Sequence, residues 1–191
     1  MYLFEGCFFR ARHIKESDAE FIFKLRKSDR AYGLNPISDN INDQIAFIKN
    51  SIQGFQEKKS AYVIIEDTDF QPVGAFRFSN LNKDNANYQS LISASNLQPN
   101  IILETIFCVY QIFFEVLNLK INPEMAVKNK ASRVIRLHQK MGIAIELSKD
   151  ENFTYFEISR ENFFLKKNFY NKIGYRLKES AKFIEHFGIK D

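Results

Sequence analysis

The sequence predicts a mixed α+β fold built on a central, mostly antiparallel sheet flanked by helices. Three observations carry that expectation. Strand-like runs separated by polar turns follow one another in hairpin order between residues 61 and 95. A long, strongly apolar helix occupies 101–118. The stretch 122–147 reads as a strand, a short amphipathic helix and a second strand. In that helix Val134, Leu137 and Met141 share one face, Arg133, Arg136, Gln139 and Lys140 fall mainly on the others, and Gly142 supplies the exit.

In chain order, Phe4 to His13 reads as a first strand. Ser17-Asp18-Ala19-Glu20 opens a helix in capping-box fashion, with Phe21, Ile22 and Leu25 as its apolar face and Arg26 near its end. A loop from Ser28 to Asp39 carries Tyr32, Gly33 and Pro36. Asn42-Asp43 begins a second helix through Phe47, Ile48 and Ile52. Strands follow at Ala61–Asp67, Val73–Ser79 and Tyr88–Ser95, with a polar Asn/Asp turn at Asn80–Ala86. Gln98-Pro99-Asn100 leads into the long helix. After the strand–helix unit, Ile143–Leu147 and Thr154–Ser159 close the sheet as a hairpin. From 161 to 191 a helical tail carries Phe163, Phe164, Phe169, Phe183 and Phe187, either packed on the domain of residues 1–160 or forming a homodimer contact.

The 191 residues suit one domain with no internal boundary. A net charge of +4 suits an anionic small ligand, but the Lys and Arg are dispersed among Asp and Glu, so no nucleic-acid partner is expected. Cys7 and Cys108 lack Cys-x-x-Cys spacing and read as small core hydrophobes. His13, His138 and His186 share no ligand spacing, so no metal is expected. Glu104, Gln111 and Glu115 interrupt the apolar run from Ile101 to Leu119, which reads as a buried helix, not a membrane span. No signal peptide is visible at Phe4–Phe9, and the expected location is cytoplasmic.

Specific wording now enters. Asn129-x-x-Ser132 opens the short helix and Leu137-His138-x-Lys140-x-Gly142 closes it. Earlier come Phe9-Arg10-Ala11-Arg12, Asp18-Ala19-Glu20-Phe21-Ile22, Gly74-Ala75-Phe76-Arg77 and Gln98-Pro99. Between about residues 9 and 160, these motifs and the order of elements resemble the GNAT superfamily of acetyl-CoA-dependent N-acetyltransferases. Within it, the branch acting on nucleotide-linked sugars of surface polysaccharides and on ribosomal-protein N-termini is the most similar.

The resemblance implies a sheet splayed between two central strands, and direct acetyl transfer from acetyl-CoA to a primary amine. A nucleotide-linked amino sugar is the favoured acceptor. A protein N-terminus or other small amine is one alternative, and a catalytically silent binding module is another. The pantetheine arm is expected along Leu91-Ile92-Ser93. The pyrophosphate is expected on amides between Asn96 and Leu103, with Asn100, Ile101 and Ile102 as donors at a helix N-terminus. The chain departs from the family here, since this loop has no glycine and Pro99 has no amide to give. The family's cofactor-contacting Asn would fall at Ala131, and Asn129, two residues off, is the candidate for its role. Arg133, and with it Arg136, is placed to reach the 3′-phosphate or to be plain helix surface.

His138 stands where family members often have the Tyr that protonates departing CoA. It reads either as a general acid or as an ordinary helix residue beside the core. Glu104 is the nearest carboxylate for a general base, its alternative being a charge that complements the helix dipole; water-mediated deprotonation is the default. Arg77, on a strand among apolar residues, is either an anion contact for the acceptor or half of an ion pair. Arg26 and Tyr32, at the loop that lines the acceptor pocket in the family, complete the expected acceptor contacts.

Overall fold

The computed structural model describes residues 2–81, 86–95 and 97–188. Positions 82–85 of the expected polar turn, and Asn96 of the expected phosphate loop, lie outside them. Strands β1 (Tyr2–Glu5), β2 (Arg10–His13), β3 (Ser60–Glu66), β4 (Pro72–Ser79) and β5 (Asn87–Ser93) form one antiparallel sheet in sequence order. A second antiparallel sheet has the order β6 (Glu124–Lys128), β8 (Phe153–Ile158), β7 (Ala144–Lys149). Helices α1 (Ala19–Lys27) and α2 (Ile41–Gln56) cover one face of the large sheet. On the other face lies α3 (Pro99–Gln111), which continues through a π turn at Ile112–Val116. Helix α4 (Ser132–Met141) joins β6 to β7, and Gly142 ends it in the left-handed region at φ 66°, where a side chain would be strained.

Apolar periodicity decides this layering. Val63, Ile65, Phe76 and Phe78 point toward α3 and build the main core with Phe107 and Phe113. Tyr62, Ile64 and Ala75 point the other way, against Ile22, Leu25 and Ile48 of α1 and α2. Pro99–Val116 is long and apolar enough to cross a membrane, yet most of it is buried at the centre of the fold. After β8, α5 (Arg160–Lys172) and α6 (Ala181–Phe187) return to the same core. Phe163 and Phe183 are fully buried, and Phe183 meets Phe4 and Phe78. Phe164 and Phe169 are exposed. A three-ring stack joins β2, α2 and α6: His13 lies 3.8 Å from Phe55, which lies 3.7 Å from His186.

The first strand is where local pattern misleads. The expected single strand from Phe4 to His13 is two antiparallel strands folded back at Gly6–Phe9. The turn wraps the buried Glu104 carboxylate, which accepts N–H bonds from Cys7 and Phe8, both at 2.7 Å, and from Arg176 at 3.2 Å. A Cβ on Gly6 would stand 2.6 Å from that carboxylate, so the close approach needs glycine. The capping box expected at Ser17–Glu20 is also redirected. Asp18 accepts from the Lys15 amide and pairs bidentately with buried Arg12, whose Nε reaches Glu66.

Candidate active site

The two sheets do not pair across β5 and β6, and the gap is a cleft of about 460 Å³. Its shape begins in β5. Opposite Phe76 the register slips by one residue, and Ser90 takes the left-handed conformation at φ 61°. That bulge reverses the alternation, so Tyr88 and Leu91 pack against the main core while Ile92 packs against α1 and α2. Ala94 donates to Val73 on β4. By alternation the amide and carbonyl of Ile92 also face β4, and those of Leu91 and Ser93 face the open edge. Leu91 and Ser93 therefore remain candidates for receiving an added chain. Ile92 does not, because its backbone groups belong to the sheet.

A second, more open groove of about 790 Å³ shares Arg30 and Tyr32 with the cleft and is lined further by Lys24, Ser132 and Arg133. Arg30 donates to the Ser95 carbonyl, and Lys128 on β6 donates to Asn35 at 2.7 Å. The loop between α1 and α2 is thereby strapped across the split. Asn100, Ile101 and Ile102 stand in the first turn of α3 and line neither cavity. The Ile101 amide is already taken by the Asn100 side chain and the Gln98 carbonyl. Asn129 is also occupied. Its side chain donates to the Asp150 carbonyl and accepts from Thr154, stapling the β6–α4 turn to the β7–β8 hairpin. Its expected cofactor role is corrected to a structural one.

His138 lines the cleft from α4, buried, with Nδ1 2.9 Å from the hydroxyl of Tyr110 on α3. Burial lowers its pKa to about 4, so near neutral pH the ring is uncharged. A neutral imidazole is a hydrogen-bond donor or a base, so the general-acid role expected of His138 would have to be met by an uncharged ring. The Tyr88 hydroxyl, on the same cleft, is buried without a partner among the described residues. Glu104 lies outside the cleft, spent on its three amides, and the expectation of a general base there is overturned.

The third cavity, about 390 Å³, adjoins the cleft at Asn35, Gln89 and Ser90. It brings together Arg26, Arg77, Gln44, Phe47 and Tyr62, with Asp43 as its acidic lining residue. The Arg77 guanidinium lies over the rings of Phe47 and Tyr62, at 5.1 and 5.9 Å from their centroids. Burial lowers its pKa, and Arg26 lowers it further. Arg26 and Arg77 form no ion pair with a carboxylate among the described residues. The Nε of both, and Nε2 of Gln44, are buried with no acceptor among the described residues. Tyr32 lies one cavity over, between cleft and groove.

Sequence reading missed Tyr110, Gln44 and Arg30. Tyr110 sits among apolar neighbours in α3, and its contact with His138, 28 residues on, is visible only once α3 and α4 are docked. Gln44 and Arg30 look like ordinary surface positions until the helices and loop are docked.

No protein-family model and no curated protein matches the sequence. Solved structures do. Apo FdhC, a nucleotide-linked sugar GNAT, is 25% identical with a TM-score of 0.75, covering 90% of this chain and 97% of its own. The Vibrio cholerae spermidine N-acetyltransferase in complex with CoA and spermine is 16% identical with a TM-score of 0.63, covering 82% and 98%. The Campylobacter jejuni N-acetyltransferase PseH is 16% identical with a TM-score of 0.57, covering 80% and 98%. The split sheet, its free strand edge and these likenesses show that the chain has the fold of the GNAT N-acetyltransferases and is similar to a nucleotide-linked sugar GNAT.

Proposed function

We propose that the protein transfers an acetyl group from acetyl-CoA to the amine of a nucleotide-linked amino sugar by direct attack. The observation that carries this reading is the third cavity, where two guanidiniums and a glutamine amide present buried N–H donors without acceptors. Leaving such donors unmet is costly, and a phosphate or pyrophosphate would satisfy them, bidentately at Arg77 and through Nε at Arg26, whose Nη2 already donates to the Asn35 carbonyl. A polyamine would instead add positive charge beside two cations that already disfavour each other. The exposed ring of Phe47 and the ring of Tyr62 offer apolar faces for a sugar or base. The open edge at Leu91 and Ser93 fits a pantetheine arm, and the Lys24, Arg30 and Arg133 groove fits the phosphates of CoA.

The test is calorimetric titration with acetyl-CoA, followed by turnover on UDP- and dTDP-linked amino sugars, spermidine and a free-amine peptide. Turnover of a nucleotide-linked amine that falls at least tenfold in kcat/KM in Arg77→Met, with CoA affinity unchanged, is the expected result. Turnover of spermidine in preference would refute the acceptor class. Absence of acetyl-CoA binding up to millimolar would leave a GNAT-shaped binding module. The glycine-free start of α3 is the observation favouring that second reading.

A further inference from the structure

The hydrogen bond between Tyr110 and His138 has two possible directions, and their surroundings distinguish them. If Nδ1 carried the proton and donated to the Tyr110 oxygen, the phenolic hydrogen would need a second acceptor. Tyr110 is completely buried, and its hydroxyl has no other partner among the described residues. That arrangement strands a buried donor. If Tyr110 donates to Nδ1, both groups are satisfied, and the imidazole proton must then sit on Nε2.

We infer that Tyr110 is a positioning residue that holds His138 in the Nε2–H tautomer, so that a neutral N–H donor serves the thioester sulfur as it departs. This rests on the acetyl-transfer reading above. In the step, the amine nitrogen bonds to the thioester carbon, and the C–S bond breaks with its electron pair left on sulfur. The amine proton leaves to water. His138 keeps its own proton and hydrogen-bonds the thiolate, which afterwards takes a proton from water. The side chain thus lowers the barrier by stabilising charge where it develops, without itself changing protonation state.

Two measurements test the assignment. Long-range proton–nitrogen NMR on protein labelled at histidine nitrogen should show His138 as a single Nε2–H tautomer from pH 6 to 8, and as a tautomer mixture in Tyr110→Phe. Titration of the ultraviolet thiolate absorbance of bound CoA should give an acid constant that falls about tenfold in His138→Ala, the loss expected for one bond to a charged acceptor. In Tyr110→Phe the fall should be smaller. Arg30, Lys128 and Glu124 also line the cleft. They persist in each variant, so the differences isolate the imidazole. An Nδ1–H signal in the unmodified protein, or an acid constant that neither substitution moves, would overturn the inference. Failure to bind CoA at all would refute the acetyl-transfer reading, while the tautomer spectrum would still judge the role of Tyr110.

Discussion

Replacing Glu104 by Gln separates a structural carboxylate from a catalytic one. The two oxygens accept three backbone N–H bonds: Oε1 from Cys7 and Arg176, Oε2 from Phe8. An amide keeps the shape but turns one oxygen into a donor. The least costly orientation points NH2 at Phe8, losing one bond of 2.7 Å and opposing two donors, while the remaining two bonds lose their charge assistance. Bonds to charged groups contribute about 1.5–3 kcal/mol against about 1 for neutral ones, so the combined loss is about 3 kcal/mol. For a chain of this length that lowers Tm by about 6–12 °C. The assay is differential scanning calorimetry, paired with CoA titration at a temperature where both proteins are folded. The CoA affinity should be unchanged, since the carboxylate lines none of the cavities. An unchanged Tm accompanied by lost turnover would refute this reasoning and restore Glu104 as a base.

Other expectations follow from the same geometry. Ser93→Pro removes an amide that faces the open edge and not β4, so CoA should bind about three- to tenfold more weakly by calorimetry, the worth of one neutral hydrogen bond, with Tm little changed. Arg77→Met removes a half-buried guanidinium lacking a carboxylate partner among the described residues, so Tm in a thermal scan should stay equal or rise slightly even as acceptor turnover falls. His13 and His138 are both depressed to about 4 from the usual 6.5, His13 by burial and then by His186. As pH falls below about 6.5 the unfolded chain takes up protons first. Stability is therefore complete above 6.5 and is lost progressively down to about 4, by at most roughly 3 kcal/mol for fully buried His138 and less for the partly exposed His13. Denaturant titrations at pH 7 and pH 5 should show the fall, and His138→Gln should flatten it.

The parts of this molecule legible in the sequence are those whose cause is local. A short apolar run marked β3, alternation marked β4, the long apolar run marked α3, and Gly142 marked the end of α4. The turn at Gly6–Phe9 was not legible because its cause, Glu104, lies about a hundred residues away in sequence. The bulge at Ser90 was hidden because a serine with positive φ carries no glycine to announce it. Arg77 could be singled out as a costly charge and Arg26 through the resemblance, but Gln44, which completes their donor set, needed α2 docked on the sheet. The missing glycines of the phosphate loop were legible as a departure, and the structure gives them a physical counterpart. With Pro99 at the helix start and the Ile101 amide already taken, α3 presents few free amides, whereas Lys24, Arg30 and Arg133 gather along the adjoining groove. Phosphates held by side-chain cations are screened by salt more strongly than phosphates held by backbone amides. The dissociation constant for CoA should therefore rise steeply between low and high ionic strength, and Arg133→Gln should reduce that slope. A salt-independent affinity would mean that the α3 amides hold the phosphates after all.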